Sequence, residues 1–374
     1  MALDAGAGGV KLAATKLPQR MCGIHIIKRA LLLCFLSFRA MADPNQPLAN
    51  PAASPTARAE LTYIQGLAAR PDKRVLSGQF TDCGDRASGS AAVFERIQQR
   101  SGGIPAILGV DYANWGDGGI AFAAPNAAAI QHWRHGGLVA IEVHCADPFR
   151  TNLTVSGLRD QDVDVTPLLD PQAPARAAWM QELDQMAAGL QQLRAAGVVV
   201  LWRPFHEMNG GWFWWGAKEP AVFIPLWRQM FNYFTKEKHL DNLLWVYAPN
   251  HGDHTADYYP GDHYVDLVGV DAYKDFVDTN HIKGTVAVLA LPKPFGFAEF
   301  GPHDTFHPPG DYDYRRLIEG VQTNFPRTAW FMAWNANWGL ATNNYVGELL
   351  HHPWVVNRGE VPNFQTTQGH STTR

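Results

Sequence analysis

The sequence contains few cysteines, no excess of basic residues and no apolar run long enough to cross a membrane as a helix. Its 4 cysteines form no Cys-x-x-Cys pair, which argues against a zinc-binding or redox motif. The formal net charge of −4 provides no basic surface for nucleic acid. With 46% hydrophobic and 18% charged residues, the 374-residue chain has the composition of a soluble globular protein with a large core.

The N-terminal 56 residues differ in composition from the remainder. A basic pair at 28–29 precedes the apolar run at 30–38, and Ala40, Met41 and Ala42 provide the small residues that a signal peptidase prefers. A segment rich in proline, alanine and asparagine follows, as in a linker. A buried helix is the alternative interpretation of the apolar run. We predict an exported protein, secreted or periplasmic, with a leader at 1–42, a linker at 43–56 and one catalytic domain at 57–374.

Two cysteines, Cys83 and Cys145, remain after the predicted leader is removed. A disulfide between them is possible in an oxidising compartment. A buried thiol at Cys145, which ends a predicted strand, is equally compatible with the sequence.

Eight short apolar runs recur along the rest of the chain, and most gaps between them show helical spacing. Near-continuous apolar runs are typical of parallel strands that are buried on both faces. Strands that alternate with helices predict a (β/α)₈ TIM barrel, with a doubly wound sheet as the alternative. The predicted strands are 74–80, 105–112, 138–145, 198–207, 243–249, 266–273, 294–302 and 329–336, and the clearest helical patterns are 56–70, 173–196, 220–238 and 312–325.

Polar and aromatic residues end most of these strands. In a TIM barrel the active site lies at the C-terminal ends of the strands, so these residues are expected to surround one pocket. They are Asp111, His144, His206, Glu207, Asp271, Tyr273, Glu299, Trp334 and Asn335.

Two of these residues are glutamates on strands that lie nearly opposite each other. Glu207 ends the fourth predicted strand and Glu299 lies on the seventh. Two carboxyl groups in different environments can divide proton transfer and nucleophilic attack, as glycoside hydrolysis requires. An ordinary ion-pair role for each glutamate is the alternative. The position of both at strand ends, with His206 and four aromatic residues nearby, favours catalysis.

Three motifs resemble those of glycoside hydrolase family 26, whose best-known members are endo-β-1,4-mannanases. The stretch RPFHEMNGGWFWWG at 203–216 is similar to that family's acid/base signature. The stretches GVDAY at 269–273 and FAEFGP at 297–302 are similar to its motifs on the sixth and seventh strands. The resemblance covers about residues 76–338, and it implies a (β/α)₈ barrel and a retaining mechanism.

Carried residue by residue, the resemblance assigns roles within the pocket. It implies that Glu207 is the acid/base and Glu299 the nucleophile. Asn335 stands where some mannanases carry arginine, which puts the sugar contacts on that side in doubt. The resemblance also implies substrate-binding roles for His144, His206, Trp212, Asp271, Tyr273 and Trp334.

The expected function is hydrolysis of internal β-1,4-mannosidic bonds in mannan, galactomannan or glucomannan. A β-1,3-xylanase or a mixed-linkage β-glucanase is the alternative within the family, and a non-catalytic polysaccharide-binding barrel or a metal-dependent hydrolase lies outside it. The sequence HEMNG lacks the His-Glu-x-x-His spacing of a zinc site, so no metal or organic cofactor is expected. We expect a monomer that binds a neutral polysaccharide or oligosaccharide and, once mature, neither nucleic acid nor membrane.

Overall fold

The predicted alternation of strands and helices closes into a barrel. The computed structural model describes residues 47–114, 119–150, 155–303 and 310–365, which all fall in one unit of the chain. The predicted leader at 1–42 lies outside the described residues. No helix in the described ranges is both long and apolar enough to span a bilayer.

The described residues contain ten strands in one parallel sheet. Strands β2 to β9 are neighbours in chain order, and β9 pairs with β2 through Ala333 and Gln79 as well as with β8, so the sheet closes on itself. The predicted (β/α)₈ barrel is therefore confirmed. The strands are β1 (Val75–Leu76), β2 (Gly78–Cys83), β3 (Ile107–Asp111), β4 (Leu138–Glu142), β5 (Val200–Arg203), β6 (Leu243–Tyr247), β7 (Leu267–Tyr273), β8 (Phe295–Gly301), β9 (Thr328–Ala333) and β10 (Val355–Val356).

The first predicted strand is split in two at Ser77. Its backbone N–H and its hydroxyl both donate to the carbonyl of Val356, at 3.0 and 2.9 Å, so the chain bonds to β10 at this point. Strand β1 pairs with β10 and touches β9, while β2 continues the barrel wall between β9 and β3. The interruption follows from the extra strand β10, which the sequence pattern did not predict.

Helices cover the outside of the barrel. The first begins at Pro55 because Ser54 caps it by accepting the N–H of Ala57 at 3.2 Å, and proline is favourable at the first helical position. Helix α6 ends at Asn232 and continues as a π-turn to Glu237, whereas the sequence predicted one helix over 220–238. The helices of the described residues are α1 (Pro55–Leu67), α2 (Ser90–Ser101), α3 (Ala123–Arg134), α4 (Val155–Leu158), α5 (Pro174–Ala195), α6 (Pro220–Asn232), α7 (Thr285–Leu289), α8 (Arg315–Asn324) and α9 (Val346–Leu350).

Large aromatic side chains fill much of the core. Trp214 and Trp215, from the aromatic stretch that follows β5, are fully buried. The indole of Trp214 donates to the carbonyl of Cys145 at 3.0 Å, and that of Trp215 donates to the carbonyl of His206 at 2.9 Å. These bonds fix the loops after β4 and β5, because buried indole N–H groups hold their carbonyl partners in place.

Part of the predicted linker packs against the barrel. Ala49 and Ala53 are buried, and the N–H of Ala49 donates to Oδ1 of Asp266 at 2.7 Å. Residues from 47 onward therefore contact the domain, while the boundaries at 42 and 56 stay predictions.

Cys83 and Cys145 are both buried and unpaired, so they form two separate thiols.

Candidate active site

The predicted pocket residues lie at one end of the barrel. Asp111 and Tyr273 are the last residues of β3 and β7, and Glu299 lies within β8. His144 follows the end of β4 by two residues, and Trp334 directly follows β9. The C-terminal ends of parallel barrel strands meet at one mouth, so the fold brings these side chains together.

The sequence placed His206 and Glu207 on the fourth barrel strand, and this was wrong. Strand β5 ends at Arg203 because Pro204 has no N–H to continue the ladder. Phe205 and Glu207 then have φ angles of 49° and 54°, in the left-handed region that non-glycine residues rarely adopt. The N–H of Glu207 donates to the carbonyl of Ala248 at 2.8 Å, which fixes this turn against the end of β6.

Three carboxylates meet at the centre of the mouth. One oxygen of each of Glu207, Asp271 and Glu299 lies within 4.8 Å of the others. Glu207 is only 9% exposed and Glu299 only 3%. Burial and the charge of Glu299 raise the pKa of Glu207 to about 7, although the indole N–H of Trp212 bonds its Oε2 at 2.6 Å and opposes this rise. Glu207 is thus partly protonated at neutral pH.

Glu299 has a different environment, because two donors hold its carboxylate. The guanidinium of Arg203 bonds Oε1, and the hydroxyl of Tyr273 donates to Oε2 at 2.5 Å. Both donors hold the carboxylate in one orientation. The two glutamates therefore have the unequal environments that acid catalysis and nucleophilic attack need.

Arg203 organises the floor of this cluster. Its guanidinium also bonds Oδ2 of Asp271 at 2.8 Å and forms an ion pair with Glu142, the last residue of β4. Burial alone lowers the pKa of Arg203, but the charges of Asp271 and Glu299 outweigh burial and raise it. Glu142 was not predicted from the sequence. The one feature that could have indicated it is that a charged residue interrupts the apolar run of β4.

The two predicted histidines bond to each other. Nδ1 of His144 donates to Oδ2 of Asp111 at 2.7 Å, and Nε2 of His144 lies 3.1 Å from Nε2 of His206. Burial, Arg203 and His144 lower the pKa of His206 well below its usual value, so that ring is neutral. His206 is only 1% exposed, and protein groups occupy three of the four ring nitrogens. The pair lies next to the carboxylates, with one nitrogen of His206 within 4.8 Å of Glu299.

Aromatic rings border the carboxylates on several sides. Trp212 contacts Glu207, and Trp334 packs on Phe80 with ring centroids 5.1 Å apart. Tyr273 meets Trp338 edge to face at 6.0 Å. Trp338 lies in a short 3₁₀ turn just after β9, and the sequence analysis missed it because it is a single aromatic residue outside the matched motifs.

A cavity of about 140 Å³ opens beside the histidine pair, between the ends of β2, β3 and β9. Asp111, Glu142, Trp334 and Asn335 contribute to its walls. Larger cavities of about 230 and 600 Å³ lie elsewhere in the described residues and contain none of the predicted pocket residues. The mouth therefore offers a small polar recess with an aromatic wall on the side of Asp111 and Glu142, and neither Glu207 nor Glu299 lines it.

The same mouth contains groups that could coordinate a cation, which sequence spacing did not reveal. Three overlapping sets have ligand atoms within 4.8 Å of one another: Asp111 with Glu142 and His144; Glu142 with His206 and Glu299; and Glu207 with Asp271 and Glu299. Arg203 forms ion pairs with Glu142, Asp271 and Glu299, so it contacts one carboxylate of the first set and two of each of the other sets. Its guanidinium supplies positive charge where a metal would otherwise be needed.

Comparison with known proteins gives consistent matches. The family model for glycosyl hydrolase family 26 matches residues 49–360. The mannan endo-1,4-beta-mannosidase A and B of Caldalkalibacillus mannanilyticus is 37% identical over 336 residues, which cover 84% of this chain and 63% of that protein. The mannan endo-1,4-beta-mannosidase of Bacillus subtilis is 35% identical over 337 residues, which cover 84% of this chain and 89% of that protein.

Solved structures match the barrel as well. A Bacillus subtilis mannanase superimposes with a TM-score of 0.77 at 34% identity, covering 85% of this chain and 96% of that one. A beta-mannanase from a symbiotic protist of the termite Reticulitermes speratus, solved with gluco-manno-oligosaccharide, gives 0.70 at 25% identity, covering 85% and 98%. The described barrel and these structures therefore share one fold.

Proposed function

This chain belongs to glycosyl hydrolase family 26, and from that premise we propose that it is an endo-acting, retaining hydrolase of β-1,4-mannan. The observation that carries the mechanism is the spacing of Glu207 and Glu299, whose nearest ligand atoms lie within 4.8 Å. Retaining glycosidases have carboxyl groups about 5–5.5 Å apart, whereas inverting enzymes need about 6.5–9.5 Å to admit a water molecule. The spacing supports direct attack by one carboxylate.

In the first proposed step, Glu299 attacks the anomeric carbon and forms a glycosyl ester. The glycosidic carbon–oxygen bond breaks, and Glu207 gives its proton to the departing oxygen. A Glu207 pKa of about 7 supports this role, because the carboxyl keeps a proton at the pH of the reaction. Arg203 and Tyr273 support the other role, because their hydrogen bonds hold the Glu299 carboxylate in place for attack.

In the second proposed step, Glu207 acts as a base. Burial and, after it, the charge of Glu299 raise the pKa of Glu207; the ester at Glu299 is neutral, so the second contribution is lost and Glu207 ionises more easily. Ionised Glu207 takes a proton from water, the water oxygen attacks the anomeric carbon, and the ester bond breaks. Glu299 returns as a carboxylate, and two displacements on one carbon retain its configuration.

The remaining pocket residues are proposed to bind and position the sugar. Trp212 and Trp334 present aromatic rings at the mouth, which suits the apolar faces of a pyranose. Tyr273 and Asp271 lie beside the nucleophile. His144 and His206 are proposed to act as a linked pair behind the carboxylates, since Nδ1 of His206 is buried and has no hydrogen-bond partner among the described residues.

The substrate follows from the relatives' names. The chain spans 63% of the length of one of the two relatives described above and 89% of the other, and both are mannan endo-1,4-beta-mannosidases. We propose mannan, galactomannan or glucomannan as the substrate. Reducing-sugar release from mannan, β-1,3-xylan and lichenan, measured side by side, tests this. We expect mannan to be cut to a series of oligosaccharides. If only xylan or only lichenan were cut, the proposed substrate would be wrong, and the proposed mechanism would still apply.

A non-catalytic binding barrel is the alternative in a different class. Under that alternative Glu207→Ala would weaken polysaccharide retention without changing the release of reducing ends. Under the proposal the same variant loses turnover but still binds mannan in an affinity gel, because the aromatic rings remain. Turnover and binding are therefore measured on the same preparation.

Cellular location and organisation are also proposals. We propose that the chain is exported by its leader at 1–42, that residues 57–374 form the catalytic domain, and that the mature protein acts as a monomer. The support for export is the charge and hydropathy of residues 28–42. N-terminal sequencing of protein recovered from a secreting host would give the cleavage site, and size-exclusion chromatography with light scattering would give the oligomeric state.

A further inference from the structure

The ring of Trp212 lies directly over the backbone of Gly210. A Cβ atom at position 210 would stand 2.6 Å from Cζ3 of that ring and closer still to Cζ2 and Cη2. Real Cβ atoms do not approach other heavy atoms so closely, so the ring occupies the space of a missing side chain. The φ angle of Gly210 is not in the left-handed region. Glycine is therefore required at this position by the close approach of the ring and not by the backbone conformation.

The backbone around Gly210 has little freedom to move away. Its neighbour Asn209 donates to the carbonyls of Asn250 and Asp253 at 2.8 and 2.9 Å and accepts the N–H of Asn250 at 2.9 Å. The N–H of Gly210 donates to the carbonyl of Glu207 at 2.9 Å, which closes the turn. On its far side, the carbonyl of Gly210 packs against Gly216 so closely that a Cβ there would also collide with it.

The atoms that would meet a new Cβ are the far edge of the indole. A side chain of this kind can swing away without unfolding the loop, so the ring, and not the backbone, is expected to yield. Cζ2 is bonded to the carbon that carries Nε1, and the ring is rigid. Moving the edge to van der Waals distance displaces Nε1 by about 1 Å, which is enough to break its 2.6 Å bond to Oε2 of Glu207.

We propose that Gly210 is a positioning residue for the general acid: by lacking a side chain, it seats the Trp212 indole on the carboxyl of Glu207. This inference rests on the proposed function, because it gives Glu207 the acid/base role. Gly210 touches no reacting atom and acts only through Trp212. The bond from Trp212 fixes the carboxyl for proton transfer and favours its ionised form, which counteracts part of the effect of burial.

The test is Gly210→Ala, with Gly211→Ala as the matched control. Position 211 is the adjacent glycine in the same loop, and a Cβ there meets nothing closer than Cβ of Ala217 at 3.8 Å, an ordinary contact. We expect Gly210→Ala to lower kcat about 10- to 100-fold, the effect of losing a hydrogen bond to a charged group. The alkaline limb of its kcat/KM profile moves to higher pH, because the lost bond raises the pKa of Glu207. Gly211→Ala changes neither quantity.

A double-mutant cycle separates this role from a general loss of stability. If Gly210 acts through Trp212, then Gly210→Ala adds no further loss in a Trp212→Phe background, which already lacks the N–H. Additive losses would overturn the proposal, as would an unshifted alkaline limb in Gly210→Ala. Should Gly210→Ala fail to fold, Gly210→Ala in a Trp212→Leu background is expected to fold, and its failure to fold would also overturn the proposal.

A second readout does not depend on activity. In protein labelled with ¹⁵N-tryptophan, the indole N–H resonance of Trp212, assigned by its loss in Trp212→Phe, should titrate with Glu207. We expect this titration in the parent and in Gly211→Ala, and its absence in Gly210→Ala. A parent that cuts no mannan but shows this pattern would reject the proposed substrate and keep the inference, whereas an active parent without the pattern would reject the inference alone.

Discussion

Removing the charge of Glu299 should lower the pKa of Glu207. Both carboxylates are buried, and their nearest ligand atoms lie within 4.8 Å. At an effective dielectric constant of about 20, two unit charges at that distance repel by about 3 kcal/mol. Each charge is spread over two oxygens, so the expected change is about 2 pH units, at about 1.4 kcal/mol for each unit. Glu299→Gln keeps the shape of the side chain and removes only its charge.

The titration is measurable by ¹³C NMR on protein labelled at the glutamate carboxyl carbons. The resonance of Glu207 is assigned by its loss in Glu207→Gln, and its midpoint in the parent is expected near the value of about 7. The matched control is Glu182→Gln, which removes a different buried carboxyl and should leave that midpoint unchanged. A Glu207 midpoint that moves by less than half a pH unit in Glu299→Gln would refute the close carboxylate pair and the acid-to-base switch that depends on it.

Three further predictions follow from other groups. Tyr273→Phe removes the hydroxyl that bonds Glu299 and should lower kcat on mannan roughly 10- to 100-fold, while an unchanged kcat would exclude that bond from catalysis. Glu60 is buried, neither of its oxygens has a hydrogen-bond partner within the part of the chain that the structure describes, and burial raises its pKa from 4.5 to about 8. The folded parent therefore holds this proton more tightly than the unfolded chain does. The contribution of this proton to the free energy of unfolding is complete below pH 4.5. It falls by about 1.4 kcal/mol for each pH unit as the pH rises to 8. Urea unfolding between pH 5 and 8 should show this slope in the parent and lose it in Glu60→Gln, and parallel slopes would contradict the burial argument. Dialysis against EDTA should leave turnover intact because the guanidinium of Arg203 already pairs with three carboxylates of the cluster, and a loss restored by added metal would favour the metal-dependent alternative.

The barrel was predictable because its signal repeats along the chain. Eight apolar runs ended in polar residues, and parallel strands force those ends to one side. Glu299 and Tyr273 were found in this way, and both lie at the mouth. Strand β10 and the division of the first predicted strand into β1 and β2 were not predicted, since β1 and β10 are two residues each and carry no periodicity of their own.

The site's internal bonding was less accessible to sequence reasoning. The turn after β5 depends on positive φ angles at Phe205 and Glu207, and neither phenylalanine nor glutamate in a sequence indicates such a backbone conformation. The histidine pair joins positions 144 and 206, which are far apart in the chain, so only the closed barrel brings them together. Glu142 was missed because one charged residue in a buried strand has no spacing pattern, although Arg203 on the next strand is its partner.

The central claim is that Glu299 forms a covalent bond to the glycone, while Glu207 donates a proton in the first step and accepts one in the second. The most direct test is to trap that ester with a mannosyl fluoride that carries a second fluorine at C2, and to locate the label by peptide mass spectrometry. The fluorine at C2 slows both steps, and the good fluoride leaving group at C1 keeps formation faster than hydrolysis, so the ester accumulates. The account predicts one sugar per chain, attached to the peptide that contains Glu299, and no label in Glu299→Gln. A label on another residue, or turnover of the reagent with an inverted anomeric product and no adduct, would contradict it.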